Sequence, residues 1–80
     1  MKWSLYIIEC ADGTLYTGIT NDVEKRLKAH TEGKGAKYTR SRAPFKLLHT
    51  EEFKDRAKAS VREAAIKAMP RAEKIKLFSD

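Results

Sequence analysis

Residues 4–18 read Ser-Leu-Tyr-Ile-Ile-Glu-Cys-Ala-Asp-Gly-Thr-Leu-Tyr-Thr-Gly, and this stretch decides the fold of the chain. Aromatic and β-branched residues are concentrated in residues 2–10 and 14–20, which is typical of strands. Between them, Ala11-Asp12-Gly13 is a hairpin signal, because aspartate and glycine adopt the backbone conformations that tight turns require. The stretch therefore predicts an antiparallel hairpin with one tyrosine on each strand.

The length of the hairpin loop decides where these two tyrosines point. A two-residue Asp-Gly loop would place Tyr6 and Tyr16 on opposite faces of the sheet. A three-residue loop, with Gly13 in the left-handed conformation, sets Tyr6 opposite Gly18 and residue 8 opposite Tyr16. We favour this second register because the glycine leaves space beside the Tyr6 phenol. It also gathers the aliphatic side chains on the other face: Leu5, Ile7, Leu15 and Ile19.

The hairpin is followed by a predicted helix over residues 22–31. Asn21 is a favourable N-cap, and Glu24 three residues later completes an Asn-x-x-Glu capping box. The side chains expected to turn inward are Val23, Leu27 and either Ala29 or His30. Residues 32–44 form a basic, glycine-containing loop, and loops of this kind carry function more often than stability.

The second half of the chain predicts a strand and two helices. Residues 45–53 have strand composition, and Asp55 is expected to cap a helix that runs to about residue 68. Pro70 ends or kinks that helix and can also occupy the first position of a last short helix running to Phe78. The stripe expected to be buried in the longer helix is Val61, Ala65 and Met69, or alternatively Ala64 and Ala68.

The element order β-β-α-β-α-α predicts a small α/β sandwich, in which helices flank a three-stranded antiparallel sheet. We expect residues 1–80 to form a single domain, because 80 residues leave no room for a second core. Cys10 is the only cysteine, which excludes an intramolecular disulfide and a Cys-rich zinc site and fits a reducing compartment. No leader or membrane-length apolar run is recognisable, so we expect a soluble cytoplasmic protein.

The chain is basic, with 17 Lys+Arg against 11 Asp+Glu and a net charge of +6. The excess is concentrated between Lys25 and Lys46, where Glu32 is the only acidic residue. Such a local excess attracts phosphate groups and favours nucleic acid through counterion release. The alternative is a surface that is basic for solubility alone.

Taken together, these segments resemble the GIY-YIG nuclease superfamily, whose first strand carries Gly-Ile-Tyr and whose second carries Tyr-Ile-Gly. The corresponding segments are Ser4-Leu5-Tyr6 and Tyr16-Thr17-Gly18. The family next places an arginine on the first helix, often with a histidine one turn later, and these match Arg26 and His30. Its glutamate on a later helix matches Glu63. The resemblance covers almost the whole chain and is strongest to the small single-domain members.

Two departures from the family pattern stand out. Ser4 replaces the first glycine, and no asparagine follows Asn21, although many family nucleases carry one late in the chain. The role of that asparagine is either absent here or met by another group such as Lys74.

The resemblance implies a metal-dependent DNA endonuclease of low sequence specificity. In it, Tyr6 is the general base, Tyr16 donates a hydrogen bond to the phosphate or the attacking water, and Arg26 holds a phosphate oxygen. His30 is the candidate proton relay, since a free tyrosine titrates near pH ~10 and its pKa must be lowered or its proton taken by another base. Glu63 is implied to bind one divalent ion, Mg²⁺ or Mn²⁺.

Each of these residues also has a structural alternative. The two tyrosines could be packed aromatics with satisfied hydroxyls, and His30 could be a charged residue near a helix C-terminus. Arg26 could pair with Asp22, and Glu63 with Lys67, because each pair is four residues apart on a helix.

The basic loop supplies the predicted contacts to nucleic acid. The residues expected to contact backbone phosphates are Lys34, Lys37, Arg40 and Arg42. Tyr38 among them could stack on a base or pack the loop down. Two other functions remain open. One is a nucleic-acid-binding module with little or no activity in a DNA repair or recombination complex, and the other is a structural subunit of such a complex.

Overall fold

The computed structural model describes residues 2–34 and 42–79, which form a three-stranded antiparallel sheet and three helices. The strand order is β2-β1-β3, so β1 is central and β2 and β3 are the two edges. This confirms the predicted fold and element order. The elements are β1 (Trp3–Glu9), β2 (Leu15–Thr20), α1 (Val23–Thr31), β3 (Lys46–Phe53), α2 (Arg56–Lys67) and α3 (Arg71–Ile75).

The hairpin has the three-residue loop, and the predicted register is confirmed. Tyr6 lies opposite Gly18, and Ile8 lies opposite Tyr16. Gly13 has a φ of 84°, the left-handed conformation that this loop requires of its last residue. Both tyrosines therefore project from the same face of the sheet.

The N-cap of α1 is Asp22, so the assignment of Asn21 to that position was wrong by one residue. The Asp22 carboxylate accepts a hydrogen bond from the Lys25 backbone N–H at 3.1 Å. The Asp22 backbone N–H in turn donates to the Thr20 hydroxyl at 3.1 Å, which fixes the turn out of β2. An aspartate at this position also adds negative charge at the positive end of the helix dipole.

The hydrophobic core lies on the face of the sheet opposite the tyrosines. Its fully buried members are Leu5, Ile7 and Ile66. Partly buried side chains complete it: Leu15, Ile19, Phe53, Met69, Leu77 and Phe78. Helix α2 and the end of the chain thus cover this face, while α1 lies against the tyrosine face through contacts described below. Cys10 is buried, as expected for a small core residue.

The buried stripe predicted for α2 was largely wrong. Ala59 and Ile66 are buried, whereas Val61 is 73% exposed and Ala65 is exposed. Of the alternative set, Ala64 and Ala68 are exposed as well, and only Met69 packs against the core. The inner face of α2 runs from Ala59 through Arg62 and Glu63 to Ile66. Its two middle positions are polar, so a search for apolar residues at helical spacing does not find this face.

The last helix is shorter than predicted. Pro70 occupies the N-cap rather than the first helical position, and α3 ends at Ile75 instead of Phe78. Leu77 and Phe78 pack against the core beyond the helix. Among residues 2–34 and 42–79, no helix is long and apolar enough to cross a membrane.

Arg62 connects α2 to the edge strand β3. Its Nε donates to Glu51 Oε1 at 2.9 Å and its Nη2 to Oε2 at 3.2 Å, a bidentate pair. His49 Nε2 lies 2.7 Å from the same Oε2. These hydrogen bonds, with that of Arg62 the largest contribution, hold the pKa of Glu51 below its usual value.

We expect Glu51→Gln to lower the free energy of unfolding by about 1–2 kcal/mol at pH 7, since hydrogen bonds to charged groups contribute about 1.5–3 kcal/mol and the amide keeps part of them. Because the folded pKa is depressed, the stabilisation is complete above the unfolded pKa near 4.5 and is lost as the pH falls through the folded value. Urea unfolding of both proteins between neutral and acidic pH measures this.

The matched control is Glu52→Gln, one residue along the same strand. Glu52 is 67% exposed and lies 3.8 Å from the exposed Lys2, an arrangement that contributes little. A loss for Glu52→Gln as large as that for Glu51→Gln would contradict the assignment.

Candidate active site

The candidate site is centred on the hydroxyl of Tyr6, a buried side chain on the central strand β1. This oxygen lies 2.8 Å from His30 Nε2 and 3.4 Å from Arg26 Nε. Both partners come from α1, where their spacing of four residues places them on the same helix face. The structure therefore brings Tyr6, Arg26 and His30 together.

Gly18 makes this close packing possible. A Cβ atom built at Gly18 would lie 2.6 Å from the Tyr6 hydroxyl oxygen and 3.1 Å from the Tyr16 ring. The first distance leaves no room for a methyl group, and the second is tighter than an ordinary van der Waals contact. The glycine of the Tyr16-Thr17-Gly18 segment is thus required by the closeness of the two phenol rings.

Aromatic rings surround the Tyr6 hydroxyl. The Tyr16 ring centroid lies 6.3 Å from that of Tyr6 and 5.5 Å from that of His30. Phe45, just before β3, places its ring 5.8 Å from the imidazole. The rings of Tyr6, Tyr16 and Phe45 remove water from the histidine, which is 1% exposed. Phe45 was not singled out from the sequence, because a lone phenylalanine at the start of a strand gives no signal of a site.

Burial controls the ionisation of both groups. It raises the pKa of Tyr6, with smaller upward contributions from Tyr16 and Glu63, while the hydrogen bond and charge of Arg26 lower it only in part. It also lowers the pKa of His30, and the Arg26 charge lowers it further. The folded protein thus raises the Tyr6 pKa, and of the two routes open from the sequence it favours a base that takes the phenol proton, for which His30 Nε2 is in place. His30 does lie in the last turn of α1, but burial favours its neutral form over the charged one.

These directions favour a protonated Tyr6 and a neutral His30. When the neutral imidazole carries its proton on Nδ1, its Nε2 accepts a hydrogen bond from the Tyr6 O–H. The Arg26 Nε–H donates to the same oxygen. The phenol thus has a proton acceptor on one side and a fixed cation on the other, an arrangement that allows its proton to leave while the remaining charge is stabilised.

The structure also decides the alternatives for Arg26. Asp22 caps α1, and the Arg26 guanidinium points to the phenols instead. Its pKa is raised chiefly by the hydrogen bond to Tyr6, with Tyr16 contributing in the same direction. Arg26 is therefore part of the candidate site rather than of the helix surface.

Glu63 reaches the site from α2. Its carboxylate is close enough to raise the pKa of Tyr6, and it also pairs with Lys67 at 3.5 Å across one helical turn. The Lys67 ammonium lies 5.9 Å from the centroid of the Tyr16 ring. The ion pair proposed as an alternative thus exists, and it lies beside the tyrosines.

The donor set for a metal is a single carboxylate. Within residues 2–34 and 42–79, no three His, Cys, Asp or Glu side chains are grouped to hold an ion. One carboxylate oxygen donor fits Mg²⁺, which keeps several waters and takes its remaining ligands from substrate phosphates. Glu63, with a side chain 24% exposed, can present such a donor.

The structure describes two of the basic-loop residues that are predicted to bind nucleic acid, Lys34 and Arg42. Lys34 is exposed, directly after Gly33, which ends α1 in the left-handed conformation with a φ of 76°. The Arg42 guanidinium donates to the Asp12 carboxylate in the hairpin turn, so it ties the end of the loop to the sheet. Lys37, Tyr38 and Arg40 lie outside the described residues. The phosphate contacts of the four basic residues and the role of Tyr38 remain predictions.

The profile of the GIY-YIG catalytic domain matches residues 2–76. The chain belongs to the GIY-YIG family. This confirms the resemblance found in the paired tyrosine segments, and it supports a nuclease-type function acting on nucleic acid.

Similar proteins span nearly the same length. The chain is 53% identical over 74 residues to a UPF0213 protein of Halobacterium salinarum, covering 92% of this chain and 96% of that one. The solution NMR structure of a UPF0213 protein from Bacillus halodurans is 47% identical, with a TM-score of 0.62, covering 96% of this chain and 82% of that one. A second NMR structure, from E. faecalis, is 39% identical with a TM-score of 0.66, covering 96% and 83%.

We expect Gly18→Ala to destabilise the fold by about 1–3 kcal/mol, because the added methyl overpacks a site whose neighbours are buried. Urea unfolding measures the loss. In a Tyr6→Leu background, which lacks the phenol ring, the same substitution should cost less. An equal cost in both backgrounds would contradict the close contact between residues 6 and 18.

We expect His30 to titrate below the usual histidine pKa of 6.5. NMR of the imidazole Hε1 resonance, assigned with a His30→Gln variant, measures this pKa. Arg26→Gln should raise it towards the usual value, because it removes a nearby positive charge, whereas Lys28→Gln on the exposed side of α1 should leave it nearly unchanged. A His30 pKa at or above 6.5 would contradict the neutral imidazole.

Proposed function

We propose that the protein is a metal-dependent endonuclease that hydrolyses phosphodiester bonds in DNA with low intrinsic sequence specificity. The observation that carries this proposal is the Tyr6 hydroxyl held between His30 Nε2 and Arg26 Nε, within a chain of the GIY-YIG catalytic family. A buried phenol with both a proton acceptor and a cation on its oxygen is more than packing requires.

In the proposed reaction Tyr6 acts as a general base through a relay. The Tyr6 oxygen takes a proton from the attacking water while its own proton passes to His30 Nε2. The water oxygen forms the new bond to phosphorus, the bond to the leaving oxygen breaks, and the departing alkoxide takes a proton from solvent. The relay explains how a phenol with a raised pKa serves as a base near neutral pH.

The remaining residues stabilise charge. Arg26 and Tyr16 would donate hydrogen bonds to the non-bridging phosphate oxygens, whose negative charge grows in the transition state. Glu63 would hold one Mg²⁺ or Mn²⁺ ion, which supplies further positive charge to the phosphate when bound. The cations Lys34, Lys37, Arg40 and Arg42 would contact phosphates, which carry no sequence information, and this is why we propose low specificity.

A second candidate is a nucleic-acid-binding module of a DNA repair or recombination complex, with weak activity or none. It is favoured by the pairing of Glu63 with Lys67, because the carboxylate proposed to hold the metal ion is already engaged in an ion pair. This candidate predicts DNA binding that does not change with Mg²⁺ or with Glu63→Ala.

Plasmid nicking in Mg²⁺ or Mn²⁺ tests the proposal. We expect Tyr6→Phe to lose a factor of about 100 or more in rate, since general bases contribute about 10²–10⁴-fold. Glu63→Gln should lose a comparable factor, because it weakens the proposed metal site and the charge stabilisation that the ion supplies. EDTA should abolish nicking by the wild type.

The control is Glu52→Gln on the outer strand β3, which makes the same charge change and should keep wild-type activity. Equal nicking by wild type, Tyr6→Phe and Glu63→Gln would indicate a contaminating nuclease and would overturn the proposal. Retained DNA binding without nicking by any of the proteins would favour the second candidate.

A further inference from the structure

Two adjoining cavities open along the outer edge of β2, beside the candidate site. The larger has a volume of about 300 Å³ and the smaller of about 220 Å³. They share Leu15 and Lys74 as lining residues, so they form one continuous depression, the β2 groove. Its lining residues are Thr14, Leu15, Tyr16, Thr17, Lys67, Arg71 and Lys74.

The β2 groove is positively charged. Lys67, Arg71 and Lys74 follow one another at spacings of four and three residues across the junction of α2 and α3, and all of them line the groove. Of these, Lys67 pairs with Glu63, whereas Arg71 and Lys74 form no ion pair within residues 2–34 and 42–79. No carboxylate from those same ranges lines either cavity. A concave surface with cations of one sign concentrates anions.

The groove is continuous with the candidate site through Tyr16. The Tyr16 ring forms part of the larger cavity and also lies 6.3 Å from the Tyr6 ring, centroid to centroid. Lys67 links the two regions in the same way, since it lines the cavity, pairs with Glu63 and lies over the Tyr16 ring. A chain of phosphates that reaches the Tyr6 hydroxyl can therefore continue into the groove.

We propose that the β2 groove binds the nucleotides adjacent to the scissile phosphate on the same strand, with Lys67, Arg71 and Lys74 contacting their phosphates. The location of the scissile phosphate rests on the function proposed above, but the binding of phosphates in the groove does not. A volume of about 300 Å³ lies at the lower limit of ligand sites, which suits single nucleotides rather than a duplex. Leu15 provides an apolar wall for a sugar or base.

This proposal assigns a phosphate-binding role to Lys74, which the sequence indicated only as a substitute for the absent asparagine. Lys74 lines both cavities and lies in the same cavity as Tyr16. Its position suits a phosphate contact, and Arg71, which the sequence did not single out, belongs to the same surface.

Binding measurements without cleavage test the groove. Fluorescence anisotropy of labelled single-stranded oligonucleotides, DNA and RNA of the same sequence, is measured in EDTA over a range of salt concentrations. For Arg71→Gln/Lys74→Gln we expect weaker binding and a slope of log affinity against log salt that is shallower by about 1.4, because each lost phosphate contact changes it by about 0.7 for single strands. Weaker binding of the variant to both oligonucleotides, or to only one of them, supports the proposal, and the pattern shows whether the groove binds DNA, RNA or both.

The matched control is Lys54→Gln/Lys58→Gln, which removes the same charge from exposed positions at the end of β3 and the start of α2, away from the groove. It should keep a nearly wild-type salt slope. If the groove variant and the control bind with the same affinity and slope, the proposal is overturned. Both groove side chains lie on the surface of α3, and thermal unfolding of the variant checks that the fold is retained.

Cleavage measurements separate this proposal from the nuclease proposal. The groove variant should need a higher DNA concentration for half-maximal rate yet approach the wild-type rate at saturation, whereas Tyr6→Phe should bind normally and fail to cleave. Normal cleavage by Tyr6→Phe would overturn the nuclease proposal and leave the binding result intact.

Discussion

The candidate site depends on the 2.8 Å hydrogen bond that joins the Tyr6 hydroxyl to His30 Nε2. It connects the central strand to α1 inside a shell of aromatic rings, where a polar atom left without a partner would cost about 1–3 kcal/mol. Because His30 satisfies the phenol, Tyr6 can be buried at the centre of the sheet with its polar end pointing to the helix. Gly18 completes the arrangement by leaving room for the ring on the neighbouring strand.

Burial has opposite effects on structure and on chemistry at this site. It orders the phenol and excludes water from the imidazole, yet it also raises the pKa of Tyr6 and makes the phenolate harder to form. Arg26 offsets part of this cost, since its Nε–H is already placed on the oxygen where charge would develop. In the proposed relay the neutral His30 offsets more of it, because the proton passes along an existing hydrogen bond, whose heavy atoms are 2.8 Å apart, and does not need to reach solvent.

Much of this geometry could be predicted from the sequence, because it follows from local chemistry. The Ala11-Asp12-Gly13 loop set the register that places Tyr6 opposite Gly18, and the helical spacing set Arg26 and His30 on one face. The face of α2 could not be predicted in the same way. Its inner side continues through Arg62 and Glu63, and the partner of Arg62, Glu51 on β3, becomes visible only when the helix is docked on the sheet. Apolar periodicity therefore pointed to Val61, which is exposed.

The polar side of α2 explains why the two halves of the chain meet at Tyr16. Ile66 anchors the helix on the core, and this fixes Glu63 and Lys67 at the edge of the sheet. Tyr16 occupies that edge strand, so its ring contacts His30 on one side and the Lys67 ammonium on the other. The edge position of β2 is thus what allows a site built on α1 to continue into a groove built on α2 and α3.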